Sequence, residues 1–239
     1  MNNRFESVTD VQEQARRMQA FFQTGATLPL EARRQALIRL KAHLKANEER
    51  ILGALMADLG KAPFEGYATE LGLVYDEINT CLAHLGSWAR PRRVRTPIVH
   101  FPSSSKVYAS PLGVVLVLSP WNYPVQLALV PLVDAIAAGN CVALKPSRTS
   151  KETGNLLVEM LGSVFPDDFI CAFPGSGAMN DWLLEARWDQ IFFTGSPNVG
   201  HTIMAAAAKN LTPVVLELGG KSPCIVHEDA NVKRAAQRI

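Results

Sequence analysis

The stretch GVVLVLSPWNYPVQLALVPLVDAIAAGNCVALK, residues Gly113–Lys145, decides the fold. Two short apolar runs, GVVLVLS and CVALK, flank a segment that reads as a helix from about Pro124. Parallel neighbours need a crossover connection, and a parallel sheet covered on both faces has near-continuous apolar strands rather than alternating ones. The pattern then repeats: a helix from about Lys151, the strand FICAF, a short helix, the strand QIFFT, a helix from about Pro197, and the strand PVVLEL. The fold class is therefore α/β, built on a doubly wound parallel sheet.

Outward from this layer the character changes. From about Val8 to Ala89 apolar residues recur three and four apart, as in LEARRQALIRLKAHLKANEERILGALMADLG, with Gly60 placed to stop the helix and a second helical run, APFEGYATELGLVYDEINTCLAHLGSW, behind it. These runs predict antiparallel helices that must pack on something. Around Arg90 the segment RTPIVHFPSSSKVYASPLG mixes Pro, Ser and β-formers, which predicts an extended hairpin or arm.

Composition excludes several classes. The 239 residues are 48% hydrophobic and 19% charged, and 24 Lys plus Arg against 22 Asp plus Glu leave a net charge of only +2. Such a balance recruits neither nucleic acid nor an anionic membrane, and the one basic cluster, RPRRVR at Arg90–Arg95, reads as a solvated connector. The start, MNNRFESVTDVQEQ, carries no apolar signal core, and no run approaches the roughly 18 apolar residues of a membrane span, so a cytoplasmic protein is expected. Cys81, Cys141, Cys171 and Cys224 lack disulfide-framework or zinc spacing. Cys81 and His84 lie three apart on one helical face, but two ligands do not make a metal site, and none is expected.

In an open parallel sheet, ligands bind beyond the carboxyl ends of the strands. There, GVVLVLS runs into PWNYP with Asn122, CVALK ends in Lys145, FICAF is followed by PGSG with Gly175, QIFFT by Gly195 and Ser196, and PVVLEL carries Glu217 ahead of LGGKSP. In FFTGSPNVG, Gly195 lets backbone approach a ligand, Ser196 can cap the next helix and Pro197 suits its first turn, so an anion such as a pyrophosphate is favoured there. A GxGxxG fingerprint is missing. Lys145 can reach a cofactor or snorkel to solvent, and Asn122 can donate to an oxyanion or bond its own turn.

Glu217 interrupts the apolar run Val214–Leu218. A buried carboxylate there would have its pKa raised by desolvation, as suits a general base; the alternative is an ion pair with a lysine such as Lys221. Cys224 and His227 are three apart in the strand implied by PCIVH, hence on opposite faces, and cannot form a dyad.

Together PWNYP, AIAAGNCVALKPS, FFTGSPNVG and LELGGKSP occur in the order and approximate spacing of the aldehyde dehydrogenase superfamily, and FTGSPNVGHTIMAAAAKNLTPVVLELGGKSPCIV most resembles its class 3 and coniferyl-aldehyde-dehydrogenase branch. The resemblance runs over nearly the whole chain. It implies a Rossmann-like sheet with N-terminal helices and a β arm, divided as 1–92 (helical part of the cofactor-binding domain), 93–110 (oligomerisation arm), 111–216 (dinucleotide-binding domain) and 217–239 (start of a truncated catalytic domain). It implies NAD(P)-dependent oxidation of an aldehyde to a carboxylic acid through a thiohemiacetal and a thioester, in a homodimer. Asn122 is then the oxyanion donor and Glu217 the general base. Ser119, Pro120, Trp121, Lys145, Ser147, Arg148, Gly175, Gly195, Ser196, Val199, Leu218 and Gly219 surround NAD or NADP.

Two departures from the family pattern matter. The family nucleophile lies a few dozen residues beyond the glutamate, and no cysteine of this chain matches it, so the chain alone is expected to bind coenzyme without turnover. Where many relatives carry an acidic residue after KPS, this sequence reads KPSRTS, and Arg148 suits a 2′-phosphate. The competing reading is a non-catalytic nucleotide-binding or assembly module.

Overall fold

The computed structural model describes residues 5–239; residues 1–4, the start of the segment assigned to the N-terminal helices, lie outside the described residues. Five strands, β3 (Val114–Leu118), β4 (Cys141–Lys145), β5 (Ile170–Ala172), β6 (Gln190–Gly195) and β7 (Val214–Leu218), form one parallel sheet in the order β5-β4-β3-β6-β7. The chain starts in the centre, winds outward to β5, crosses back to β6 and ends on the edge at β7. The sheet's direction of winding therefore reverses between β3 and β6, the topological switch point.

The apolar strands are explained by what covers them. Every residue of β3 and β4 is buried. Val115, Val117, Val142 and Leu144 face one core, while Val114, Leu116, Leu118, Cys141 and Ala143 face the other. The period-two alternation of a strand thus persists, but both faces land in hydrophobic interior. The first core is closed by helices α2 (Leu30–Ala46), α3 (Glu48–Leu59), α5 (Gly72–Trp88), α6 (Gln126–Ala138) and α7 (Lys151–Val164). Across the sheet lie α1 (Val8–Gln23), α8 (Gly177–Glu185) and α9 (Pro197–Ala208). The strands and crossover helices expected between Gly113 and Leu218 are all present.

The helical lead-in differs from a simple repeat of long helices. Its second run opens as a short helix, α4 (Pro63–Gly66), passes through a π-helical turn at Tyr67–Leu71 and only then becomes α5. After α5, β1 (Arg92–Val94) and β2 (Ser105–Val107) pair as an antiparallel hairpin whose tip holds Ile98, Val99 and Phe101 more than four-fifths exposed. At the other end, Pro223–His227, expected as a strand, joins no ladder and is exposed. A strand needs a neighbour for its N–H and C=O groups, and no described segment offers one. The chain finishes with α10 (Val232–Arg238), and among the described residues no helix is long and apolar enough to cross a membrane.

Candidate functional site

A cavity of about 990 Å³ opens at the carboxyl ends of β3, β4, β6 and β7. Ser119, Pro120, Trp121, Asn122, Lys145, Ser147, Arg148, Gly195, Ser196, Val199, Glu217, Leu218 and Gly219 all line it. They converge because each follows or ends a parallel strand, and register aligns those ends: Leu118 pairs with Lys145, and Thr194 with Glu217. Asn122, between exposed Trp121 and Tyr123, has a side-chain amide with no hydrogen bond among the described residues. The reading in which that amide merely bonds its own turn is therefore corrected.

Gly175 is the exception among the sequence-expected residues, since it does not line the cavity. It packs behind the Ser147–Arg148 turn so closely that a Cβ would lie 3.0 Å from the Ser147 carbonyl oxygen and 3.1 Å from the Arg148 Cα. Its role is to admit the backbone of a neighbouring loop. Gly195 does line the cavity, but the space a Cβ would take is filled by the Phe193 ring at 2.4 Å, so the glycine accommodates that aromatic wall as well as an approaching ligand.

Lys145 is only 6% exposed, and its ammonium makes no hydrogen bond or ion pair among the described residues. Burial first, and the nearby Arg148 guanidinium second, push its ammonium down to about 8. It does not snorkel to solvent; it is a desolvated cation aimed into a cavity, an arrangement that costs stability unless a ligand supplies acceptors. Ser119 Oγ and Thr194 Oγ1, at the ends of β3 and β6, are likewise buried without partners. Three unsatisfied polar groups around the switch point fit a ligand rich in hydroxyl and phosphate oxygens. Ser196 caps α9 by accepting from the Val199 N–H at 3.5 Å, a long contact that leaves the helix N-terminus open to an anion, and Pro197 begins the helix as expected.

Glu217 reaches the same cavity but is exposed, not buried as expected. The reason is its place near the end of an edge strand, beyond which no described strand pairs. It makes no ion pair with Lys221 or any other cation among the described residues. His227 bonds Asp229 at 2.7 Å, and Cys224 lies off the cavity. Cys81 and Cys141 are buried, with thiols both pushed up to about 12 chiefly by burial.

His84 stacks on Trp88 rather than meeting Cys81, whose neighbours are Glu77 at 3.5 Å and Asp134 at 3.8 Å. These three donors lie within 4.8 Å of one another but away from the cavity. Sequence reasoning missed Thr194 as a lining residue, together with the buried pair Lys61 and Glu70 beneath the Asn122 loop. The one signal for Glu70 was a carboxylate inside a helical run otherwise read only for its apolar spacing.

The sequence model of the aldehyde dehydrogenase family matches residues 4–239. Aldehyde dehydrogenase family 3 member B1 of Homo sapiens is 42% identical over 94% of this chain and 48% of its own length. The 4,4'-diaponeurosporen-aldehyde dehydrogenase of Staphylococcus aureus is 40% identical over 92% of the chain and 48% of its own. The chain spans about half the length of the curated relatives it matches. Among solved structures, the substrate-bound state of a Staphylococcus aureus AldH superposes with a TM-score of 0.89 at 38% identity, covering 95% of this chain and 50% of that one. A Staphylococcus aureus betaine aldehyde dehydrogenase in complex with NAD+ gives 0.82 at 28% identity, covering 96% and 46%.

Proposed function

Because the chain belongs to the aldehyde dehydrogenase family, we propose that it forms the coenzyme-binding half of an enzyme oxidising an aldehyde, with water and NAD or NADP, to a carboxylic acid. One observation supports this above the rest: Asn122, Lys145, Ser196 and Glu217 line a single cavity at the switch point of the sheet.

Bound there, the nicotinamide supplies the hydride acceptor. The Lys145 ammonium and the Ser119 and Thr194 hydroxyls would hold the coenzyme's hydroxyl-bearing part, and the N-terminus of α9 with Ser196 would hold its pyrophosphate. The free Asn122 amide donates to the aldehyde oxygen as it gains negative charge, and a fixed donor of this kind is worth about 3 kcal/mol of transition-state stabilisation. Glu217 accepts the proton of the water that hydrolyses the acyl group.

The thiol that would carry the acyl group is not among the four cysteines: three are buried, two of these with thiols held in the protonated form, and Cys224 lies off the cavity. This chain accordingly binds coenzyme without turnover. Arg148, exposed beside Lys145 and without an acidic partner among the described residues, favours NADP at the ribose 2′ position. The apolar tip of the hairpin supports a homodimer.

Calorimetric titration of the chain with NAD+ and NADP+, followed by addition of an aldehyde, tests the reading. Saturable binding with no growth of reduced-nicotinamide absorbance is expected. Failure to bind either dinucleotide overturns the proposal, and turnover overturns the claim that the nucleophile is lacking.

A further inference from the structure

Beneath the cavity lies a charged pair that the reaction chemistry does not use. Glu70 has no solvent exposure, and one of its oxygens, Oε1, accepts from Lys61 Nζ at 2.6 Å. Its other oxygen, Oε2, accepts from the backbone N–H groups of Val125 and Gln126 at 2.8 and 3.2 Å. Lys61 Nζ in turn donates to the Asn122 carbonyl oxygen at 3.1 Å and sits 3.9 Å from the centre of the Tyr123 ring. Every strong bonding capacity of the two buried charges is spent on the five residues between Asn122 and Gln126 or on each other.

The local sequence explains how the pair gets there. Glu70 occupies the π-helical turn Tyr67–Leu71, where the wider i→i+5 spacing inserts one residue and turns Glu70 and Leu71 into the interior. Such turns are often found at functional sites. Lys61 follows Gly60, whose left-handed backbone ends α3 and drops the chain toward the loop. The residue at the start of α6, Val125, cannot cap the helix with its side chain, so the first N–H groups are satisfied by a carboxylate brought from another helix. A Ser or Asp at that position would have capped α6 locally with far less desolvation. What a local cap could not do is reach the carbonyl of Asn122.

We propose that Lys61 and Glu70 form a positioning pair that clamps the loop from both ends and so holds the unbonded Asn122 side-chain amide in the cavity. The clamp grips the backbone of Asn122 and leaves its amide without a partner among the described residues, which is what a pre-organised donor requires. This inference rests on the proposed role of Asn122 for its purpose, but not for its geometry.

The test uses the 239-residue chain. Lys61→Gln/Glu70→Gln removes both charges while keeping polar side chains with the same number of heavy atoms, and Lys61→Arg keeps the ion pair. In the double variant, amide exchange at Val125 and Gln126 should quicken about tenfold or more, as expected for losing a charge-assisted hydrogen bond. Its Asn122 side-chain NH2 resonances should broaden and lose the shift that NADP+ induces, with far-UV circular dichroism unchanged. Lys61→Arg should restore the wild-type signals. Unaltered Asn122 resonances in a folded double variant would overturn the proposal. Should that variant not fold, the wild-type chain decides: Val125 and Gln126 amides must exchange as slowly as the core strands, and loop-like exchange refutes the clamp. Absence of any dinucleotide response in wild type would refute the coenzyme reading alone, since exchange and resonance position still report on the clamp.

Discussion

Replacing Lys145 with Met should make the chain more stable and worse at binding coenzyme. The Lys145 ammonium falls from 10.5 to about 8, first because it is buried and second because Arg148 is near. At roughly 1.4 kcal/mol per pH unit, that fall is worth about 3 kcal/mol of destabilisation. The sign follows from proton linkage: between pH 8 and 10.5 the unfolded chain binds the proton that the folded chain has released, so stability rises with pH across that window. Below pH 8 the penalty is present in full. Lys145→Met, which keeps the aliphatic stem and deletes the charge, should therefore raise the melting temperature at pH 7 by several degrees, up to about 10 °C. It should also flatten the wild-type increase in stability toward pH 10.5. The same change removes the charge-assisted hydrogen bond that the proposed site would give the coenzyme, and the dissociation constant should rise about 10- to 100-fold. Thermal unfolding at pH 7 and pH 10, with calorimetric titration of NADP+, reads both effects. A variant less stable than wild type at pH 7, or one that binds coenzyme unchanged, would refute the reasoning.

Three further outcomes follow from the site. Arg148→Glu should shift the ratio of NADP+ to NAD+ affinity toward NAD+ by about tenfold or more, because a carboxylate repels the 2′-phosphate and accepts from a 2′-hydroxyl; paired titrations measure it. Gly175→Ala should push the Ser147–Arg148 turn outward, since the added Cβ meets backbone at 3.0 Å, and should weaken coenzyme binding several-fold although the residue lies outside the cavity. Glu217→Gln should leave the chain's thermal stability within about 0.5 kcal/mol and its coenzyme affinity unchanged, because the exposed carboxylate has no partner to lose among the described residues.

The sheet was legible because hydrophobic runs of strand length, separated by helical spacing, admit few arrangements. Once the strands are parallel, their carboxyl ends must share an edge, so the sequence alone gathers Asn122, Lys145 and Ser196. What the sequence did not disclose depends on packing between distant segments. Glu217 looks buried in Val214–Leu218, yet β7 is an edge strand here, and strand position in a sheet is not written in local composition. Gly175 was assigned to the ligand because it follows a strand, whereas its tight neighbour is the backbone of another loop. Glu70 was invisible because the π-helical turn that aims it inward interrupts a run whose apolar spacing reads as ordinary helix. The unpaired segment Pro223–His227 carries the β-formers Ile225 and Val226, but a ladder needs a second strand that the described residues do not supply.

Hydrogen–deuterium exchange across the whole chain, with and without saturating NADP+, tests the shared cavity most directly. Simultaneous protection of the segments around Asn122, Lys145 and Ser196, saturating at one common coenzyme concentration, is the predicted result. Protection confined to a single one of these segments, or appearing only elsewhere on the molecule, would contradict it.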